Sequence, residues 1–219
     1  KNSSIGRWKF DYDISKTLIK ESFPLFISGL GIIILSKNAQ LIIDYFIDKE
    51  SVSFYSVAQM IVDHSYVLPM ALHSSIFPFL QRVKNRSASE FNLFYKKIIA
   101  ISSIVSLFVS ILVSISSKFI ILLLFGDSFN SSVLILSVLI FSLFPVTIGI
   151  IQSIWLNIEN KNKYVLYQTL LGGLFAVALN YLLIPKYGIL GAALVSIFSQ
   201  FVNVFLVSYI LVPELRKLF

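Results

Sequence analysis

SFPLFISGLGIIILSKNAQLIIDYFI, residues 22–47, is apolar for long enough to cross a lipid bilayer, yet it carries Lys37 in its interior and Asp44 further along. At ~1.5 Å per residue, such a helix exceeds the ~30 Å hydrocarbon layer and spans it with some tilt. An ammonium at that depth costs ~3 kcal/mol on insertion scales, so it should face protein or water and not acyl chains. Lys37, Gln40 and Asp44 follow the spacing i, i+3, i+7 and share one side of the helix. A single polar stripe on a lipid-crossing helix predicts a lined cavity.

The rest of the chain fits the same setting. Of the 219 residues, 57% are apolar and 13% charged, and the apolar ones lie in long blocks. That is the composition of an all-α polytopic membrane protein. No cysteine is present and histidine occurs twice, so a disulfide scaffold, a thiolate metal site and a cofactor are not expected. The net charge of +7 would suggest nucleic acid in a soluble protein. Here the bases gather in segments between apolar blocks, so nucleic acid is not an expected partner. The opening KNSSIGRWKFDYDISK has no signal-peptide pattern and reads as an internal loop, which makes the chain an expected piece of a longer protein.

Six transmembrane helices are expected, at about 22–47, 52–81, 93–116, 132–156, 164–184 and 189–212. Pro24 sits in the first turn of its helix, and Pro69 and Pro145 predict kinks. RVKNRSASEFNLFYKK reads as a basic loop. KFIILLLF at 118–125 is too short to cross, so it is either the end of the third span or an interfacial helix. Ser102, Ser106, Ser110 and Ser114 recur every fourth residue, a small-residue face for close helix packing. Gly172-Gly173 marks a close approach in the fifth span. Counting bases on alternate sides puts 14 on one and three on the other. The positive-inside rule then places both ends of this chain in the cytoplasm, for an even number of spans.

Asp63 in the second span lies at the same ~15 Å depth as Lys37, which invites an ion pair between adjacent helices. Gln59, Asp63, Tyr66, Met70 and His73 form a second one-sided stripe, while His64 falls off it. His73 is a candidate proton-linked switch, or a simple hydrogen-bond donor. Asp44 sits about one turn from the outer surface, where a solvated helix-end carboxylate is an equally good reading. Gln168, Asn180, Ser196, Gln200 and Asn203 dot the last two spans, as interhelical bonds or as ligand contacts. No nucleophile triad, phosphate loop or metal motif occurs, so an enzyme is not expected.

Several stretches resemble Wzx-type polysaccharide flippases of the MATE-like exporter superfamily. LIKESFPLFISGLGIIILSKNAQLI is similar to the helix that opens the second half of those proteins, with Lys37 at its basic position and Gln40 at its glutamine. Ala39 stands where that family has an acid, which makes Asp63 or Asp44 the candidate substitute. VSFYSVAQMIVDHSYVLPMALHSSIFPFL resembles the next helix, LLLFGDSF the turn before a further span, and NYLLIPKYGILGAALVSIFSQ the family's LN-LIP-YGI-GAA pattern. The resemblance implies one six-helix lobe of a twelve-helix exporter, residues 1–219 being the C-terminal lobe and the N-terminal lobe being absent from this chain. It implies translocation of undecaprenyl-diphosphate-linked oligosaccharide repeat units, for O-antigen or capsule, across the bacterial cytoplasmic (inner) membrane by alternating access.

Under that reading, Lys37, Gln40, Gln59 and Tyr66 bind substrate, and Asp63, Asp44 and His73 couple an ion. The partners would be membrane lipid, the missing lobe and polysaccharide polymerase machinery. Two alternatives remain: a cation-coupled drug or metabolite antiporter of the same superfamily, and a membrane glycosyltransferase acting as polymerase or ligase.

Overall fold

The computed structural model describes residues 37–212 together with residues 12, 15, 16, 214 and 215. Among the described residues every regular element is helical. Residues 37–46 belong to helix α1. They are followed by α2 (Lys49–Ser65), α3 (Val67–Arg86), α4 (Ala88–Phe125), α5 (Ser131–Leu139), α6 (Leu143–Ile158), α7 (Asn162–Phe201) and α8 (Ser208–Leu211). Among the described residues, three stretches are long and apolar enough to cross a membrane: Ala88–Phe125, Ser131–Ile158 and Tyr164–Leu211. Residues 22–36 of the first predicted span, with Pro24, lie outside the described residues, as do six of the 14 bases on which the cytoplasmic placement of the two ends rests.

Local chemistry sets the joints. Asp48 caps α2, its Oδ1 accepting the Ser51 N–H at 2.6 Å, and that backbone bond holds the carboxyl below the ordinary carboxylate range. Ser87 separates α3 from α4 and accepts the Glu90 N–H at 3.3 Å. Ser-x-x-Glu is the capping-box pattern, so the basic stretch predicted as a loop is helical on both sides of one extended residue. KFIILLLF is the last two turns of the 38-residue α4, which closes on Gly126 at φ 80°. α4 therefore runs well past the predicted 93–116 at both ends.

Each of the two prolines expected to kink a helix follows an interruption of that helix. Pro69 has no N–H for the Ser65 carbonyl, and the helix breaks at Tyr66, between α2 and α3. Pro145 lies in the first turn of α6, directly after a 3₁₀ turn at Ile140–Ser142. The fifth and sixth predicted spans are the two arms of α7. They turn on Gly188 (φ 61°, ψ −149°), within the gap between the predicted spans 164–184 and 189–212. A Cβ at Gly191 would come within 2.8 Å of the Leu183 carbonyl oxygen, so the turn depends on glycine there as well. Phe175 against Phe198 (6.2 Å between centroids) shows the arms running antiparallel.

In lipid the apolar effect gives helices no reason to associate, so packing and hydrogen bonds must hold the bundle. α4 illustrates both. Its serine face is buried at Ser102, Ser106 and Ser110. Ser110 Oγ donates to Ser106 O (2.8 Å) and Ile140 O (3.1 Å), and Ser114 Oγ donates to Ser137 O (2.8 Å). Its other side exposes Ile101, Ile104, Phe108, Ile115 and Phe119, a surface suited to acyl chains. The apolar interior forms two clusters. One, around Ala39, Ala58, Leu136, Ile140, Ala192 and Ala193, lies toward the turns at Asp48, Gly126 and Gly188. The other, around Leu80, Phe91, Tyr95, Ile154 and Trp155, lies toward Ser87 and Lys161.

Candidate functional site

Between α1, α2 and the arms of α7 opens a cavity of about 430 Å³. Lys37 and Gln40 reach it from α1, and Gln59, Asp63 and the junction residue Tyr66 from α2. Leu139 and Ser142 border it at the 3₁₀ break between α5 and α6. The α7 arms contribute Thr169, Asn180, Ser196, Ser199 and Gln200, joined by Asn203 beyond them. The cavity thus lies where three of the rods are irregular: at Tyr66, at Ile140–Ser142, and at a π-helical turn over Val202–Val207. Irregular backbone at membrane depth is tolerated where it borders protein or a water-filled space.

Hydrogen bonds fix most of the polar side chains in place. Gln40 Nε2 donates to Ser56 Oγ at 3.0 Å, and Asn180 Nδ2 to Asn38 Oδ1 at 2.6 Å, which ties α1 to α2 and to α7. The Tyr55 hydroxyl pairs with Ser196 Oγ at 3.1 Å, and the Tyr66 hydroxyl with Ser142 Oγ at 2.9 Å. Asp63 Oδ1 accepts from Gln59 Nε2 at 2.6 Å, one turn earlier on its own helix.

The ion pair expected between Lys37 and Asp63 is absent. The ion pairs among the described residues are Lys84–Glu159 and Lys161–Glu214. Gln59 already supplies Asp63 with a donor, and both charged residues are exposed, so nothing forces them together. Lys37 is consequently a cation on a cavity wall with no carboxylate partner among the described residues.

Of the other residues singled out by pattern, Asp44 is exposed on α1 away from the cavity lining, and His73 is half-buried in α3, stacked on Phe77 at 6.1 Å. The off-stripe His64 donates Nδ1–H to the Met60 carbonyl at 2.6 Å. Asn38, Tyr55, Thr169 and Ser199 line the cavity without having been picked out. Tyr55 precedes Gln59 by one turn, so extending the α2 stripe backward finds it. Thr169 lies on a stripe with Gly172, Ala176 and Asn180 on the first α7 arm, and Ser199 lies beside the stripe of Ser196, Gln200 and Asn203 that follows the turn, so the same extension finds both.

Curated proteins include one relative from Staphylococcus aureus, described as "Capsular polysaccharide biosynthesis protein CapF", which is 28% identical over 223 aligned positions. The alignment covers 94% of this chain and 54% of that protein, so the chain spans about half the length of the curated relative it matches. No solved structure matches. The family model described as "Polysaccharide biosynthesis protein" matches residues 3–134, more than half of the chain. This chain, a membrane-type helical bundle with a polar cavity, therefore belongs to the polysaccharide biosynthesis protein family.

Proposed function

We propose that this chain is the C-terminal six-span lobe of a Wzx-type flippase, which moves undecaprenyl-diphosphate-linked oligosaccharide repeat units across the bacterial inner membrane for surface polysaccharide synthesis. The observation that carries this reading is Lys37. An ammonium with no ionic partner among the described residues borders a 430 Å³ polar cavity in a helical bundle of membrane type. A diphosphate is the anion such a cation suits, and the prenyl tail can stay in lipid while the headgroup crosses. A second lobe facing this one would complete the enclosure, and the half-length match to CapF fits that arrangement.

In this mechanism Lys37 holds the diphosphate, with Gln40, Gln59 and Tyr66 around it. Asp63 competes for the ammonium and releases it on protonation or ion binding. Alternating access then follows from rocking of the lobes about the breaks at Tyr66, Ile140–Ser142 and Gly188. No bond is made or broken, so the protein is a transporter and not an enzyme. The joints at Asp48, residues 126–130 and Gly188 are also short, leaving little room there for the large active-site loop that a membrane glycosyltransferase requires.

Replacing Lys37 with Ala in the full-length protein should abolish surface polymer while membrane insertion and abundance stay normal. Normal polymer from the Lys37→Ala protein overturns the proposal. The carboxylate of Asp63 in the same cavity favours one second reading, a cation-coupled antiporter. That reading predicts loss of drug or metabolite efflux in Asp63→Asn with surface polymer unaffected.

A further inference from the structure

The cavity has two chemically different walls. The one from α1 and α2 carries its charges, Lys37 and Asp63. The wall built by α7 and the π-turn is neutral throughout, and its polar side chains are Thr169, Asn180, Ser196, Ser199, Gln200 and Asn203. A wall meant for acyl chains or an apolar drug would be apolar, and one meant for more phosphate would be basic. Neutral amides and hydroxyls offer donors and acceptors together at set orientations, which is the complement of a ring bearing several hydroxyls.

Three features set this wall apart from simple helix glue. Gln200 lines the cavity half-buried and makes no hydrogen bond among the described residues, so its amide keeps its full capacity. Asn180 is 2% exposed, and while its Nδ2 is spent on Asn38, its Oδ1 receives no donor. A buried acceptor left so costs ~1–3 kcal/mol unless something else satisfies it.

The third feature is how Asn203 is placed. A Cβ at Gly172 would stand 2.8 Å from Asn203 Cγ, so glycine is what lets this amide lie against the first arm. Asn203 belongs to the π-turn, whose Val204 carbonyl accepts from Gln152 Nε2 at 3.3 Å. Val204 in turn packs on Gly149, where a Cβ would come within 3.1 Å. π-turns inside α-helices cost hydrogen-bond geometry and recur at functional positions.

We propose that the α7 wall reads the sugar adjoining the diphosphate, through the amides of Gln200, Asn203 and Asn180, while Lys37 holds the diphosphate itself. This rests on the flippase reading above. The wall sets which sugar is accepted, and the lysine sets that the lipid carrier is accepted at all.

The test measures binding to the full-length protein in nanodiscs. The probes are undecaprenyl diphosphate alone and undecaprenyl diphosphate carrying one N-acetylglucosamine or one galactose. The wild-type protein should bind at least one sugar-bearing probe more tightly than the bare one. Gln200→Leu and Asn203→Ala should each cut that preference about fivefold, the worth of one neutral hydrogen bond, and leave the affinity for the bare probe unchanged. Gln200→Leu removes no described bond between helices, so its melting temperature should match the wild type, and it decides the matter if Asn203→Ala fails to fold. Equal weakening of all probes, no change in any, or a wild-type protein indifferent to the sugar overturns the proposal. Lys37→Ala should weaken all probes alike; if it weakens none, the flippase reading of the cavity fails instead.

Discussion

The two apolar clusters hold opposite ends of the same bundle by different means. Toward the turns at Asp48, Gly126 and Gly188 the interior is light, with Ala39, Ala58, Ala192 and Ala193 buried among leucines and isoleucines. Toward Ser87 and Lys161 it is heavy, with Phe91, Tyr95 and Trp155 among its members. That heavy end is also clamped by charge. Lys84 pairs with Glu159 and Lys161 with Glu214 at 2.5 Å, and their ammonium groups lie 5.1 Å from the Phe91 ring and 5.3 Å from the Trp155 ring. Between the two ends α4 contributes the buried Ser102, Ser106 and Ser110. The cavity takes Ala39, Tyr55 and Leu139 from the light cluster and no member of the heavy one. Polar space is opened where helices meet through small side chains, and the aromatic end supplies the anchorage.

The two ends should respond differently to substitution. The largest effect is expected from Trp155→Ala, which empties most of a buried ring at the heavy end and should cost about 3–5 kcal/mol. Denaturant titration of the solubilised protein measures it, and a loss below 1 kcal/mol would remove the claim of anchorage. At the light end the damaging change is the opposite one. Ala192→Leu overfills a fully buried contact and should cost about 1–3 kcal/mol. A neutral result there would mean that the light end is loosely packed instead of closely fitted. The smallest effect belongs to the layer between. Tyr66→Phe removes the bond to Ser142 and should cost about 1 kcal/mol, leaving Ser142 to find another partner.

Much of this arrangement is legible in the sequence, and the residues show why. The serine repeat in α4 meets carbonyls of Ser137 and Ile140, because four-residue spacing leaves no other way to use one helix face. Gly172-Gly173 does mark a close approach, made by Asn203. The polar stripes of α1 and α2 bring Lys37, Gln40, Gln59, Asp63 and Tyr66 to one cavity.

Other features were hidden for physical reasons. The segment from Arg82 to Lys97 reads as a loop when helix is equated with the membrane-buried part of a helix. A backbone that has begun to hydrogen-bond continues into water until a residue stops it, and here that residue is Ser87. Lys37 and Asp63 do line one cavity, but equal depth says nothing about rotation or about Gln59 reaching the carboxylate first. The π-turn has no sequence signature of its own. It depends on Gly149, Gly172 and Gln152 from other parts of the fold.

The reversal at Gly188 has one more consequence. Because two long arms are joined through a single left-handed residue, there is no slack in which an insertion or deletion could be absorbed. Any added residue would rotate one arm against the other and take Ser196 and Gln200 off the face they share with Asn180. The hairpin can therefore exchange the polar side chains it turns to the cavity while its alignment stays locked. That is what the sugar-reading role proposed for this wall would require.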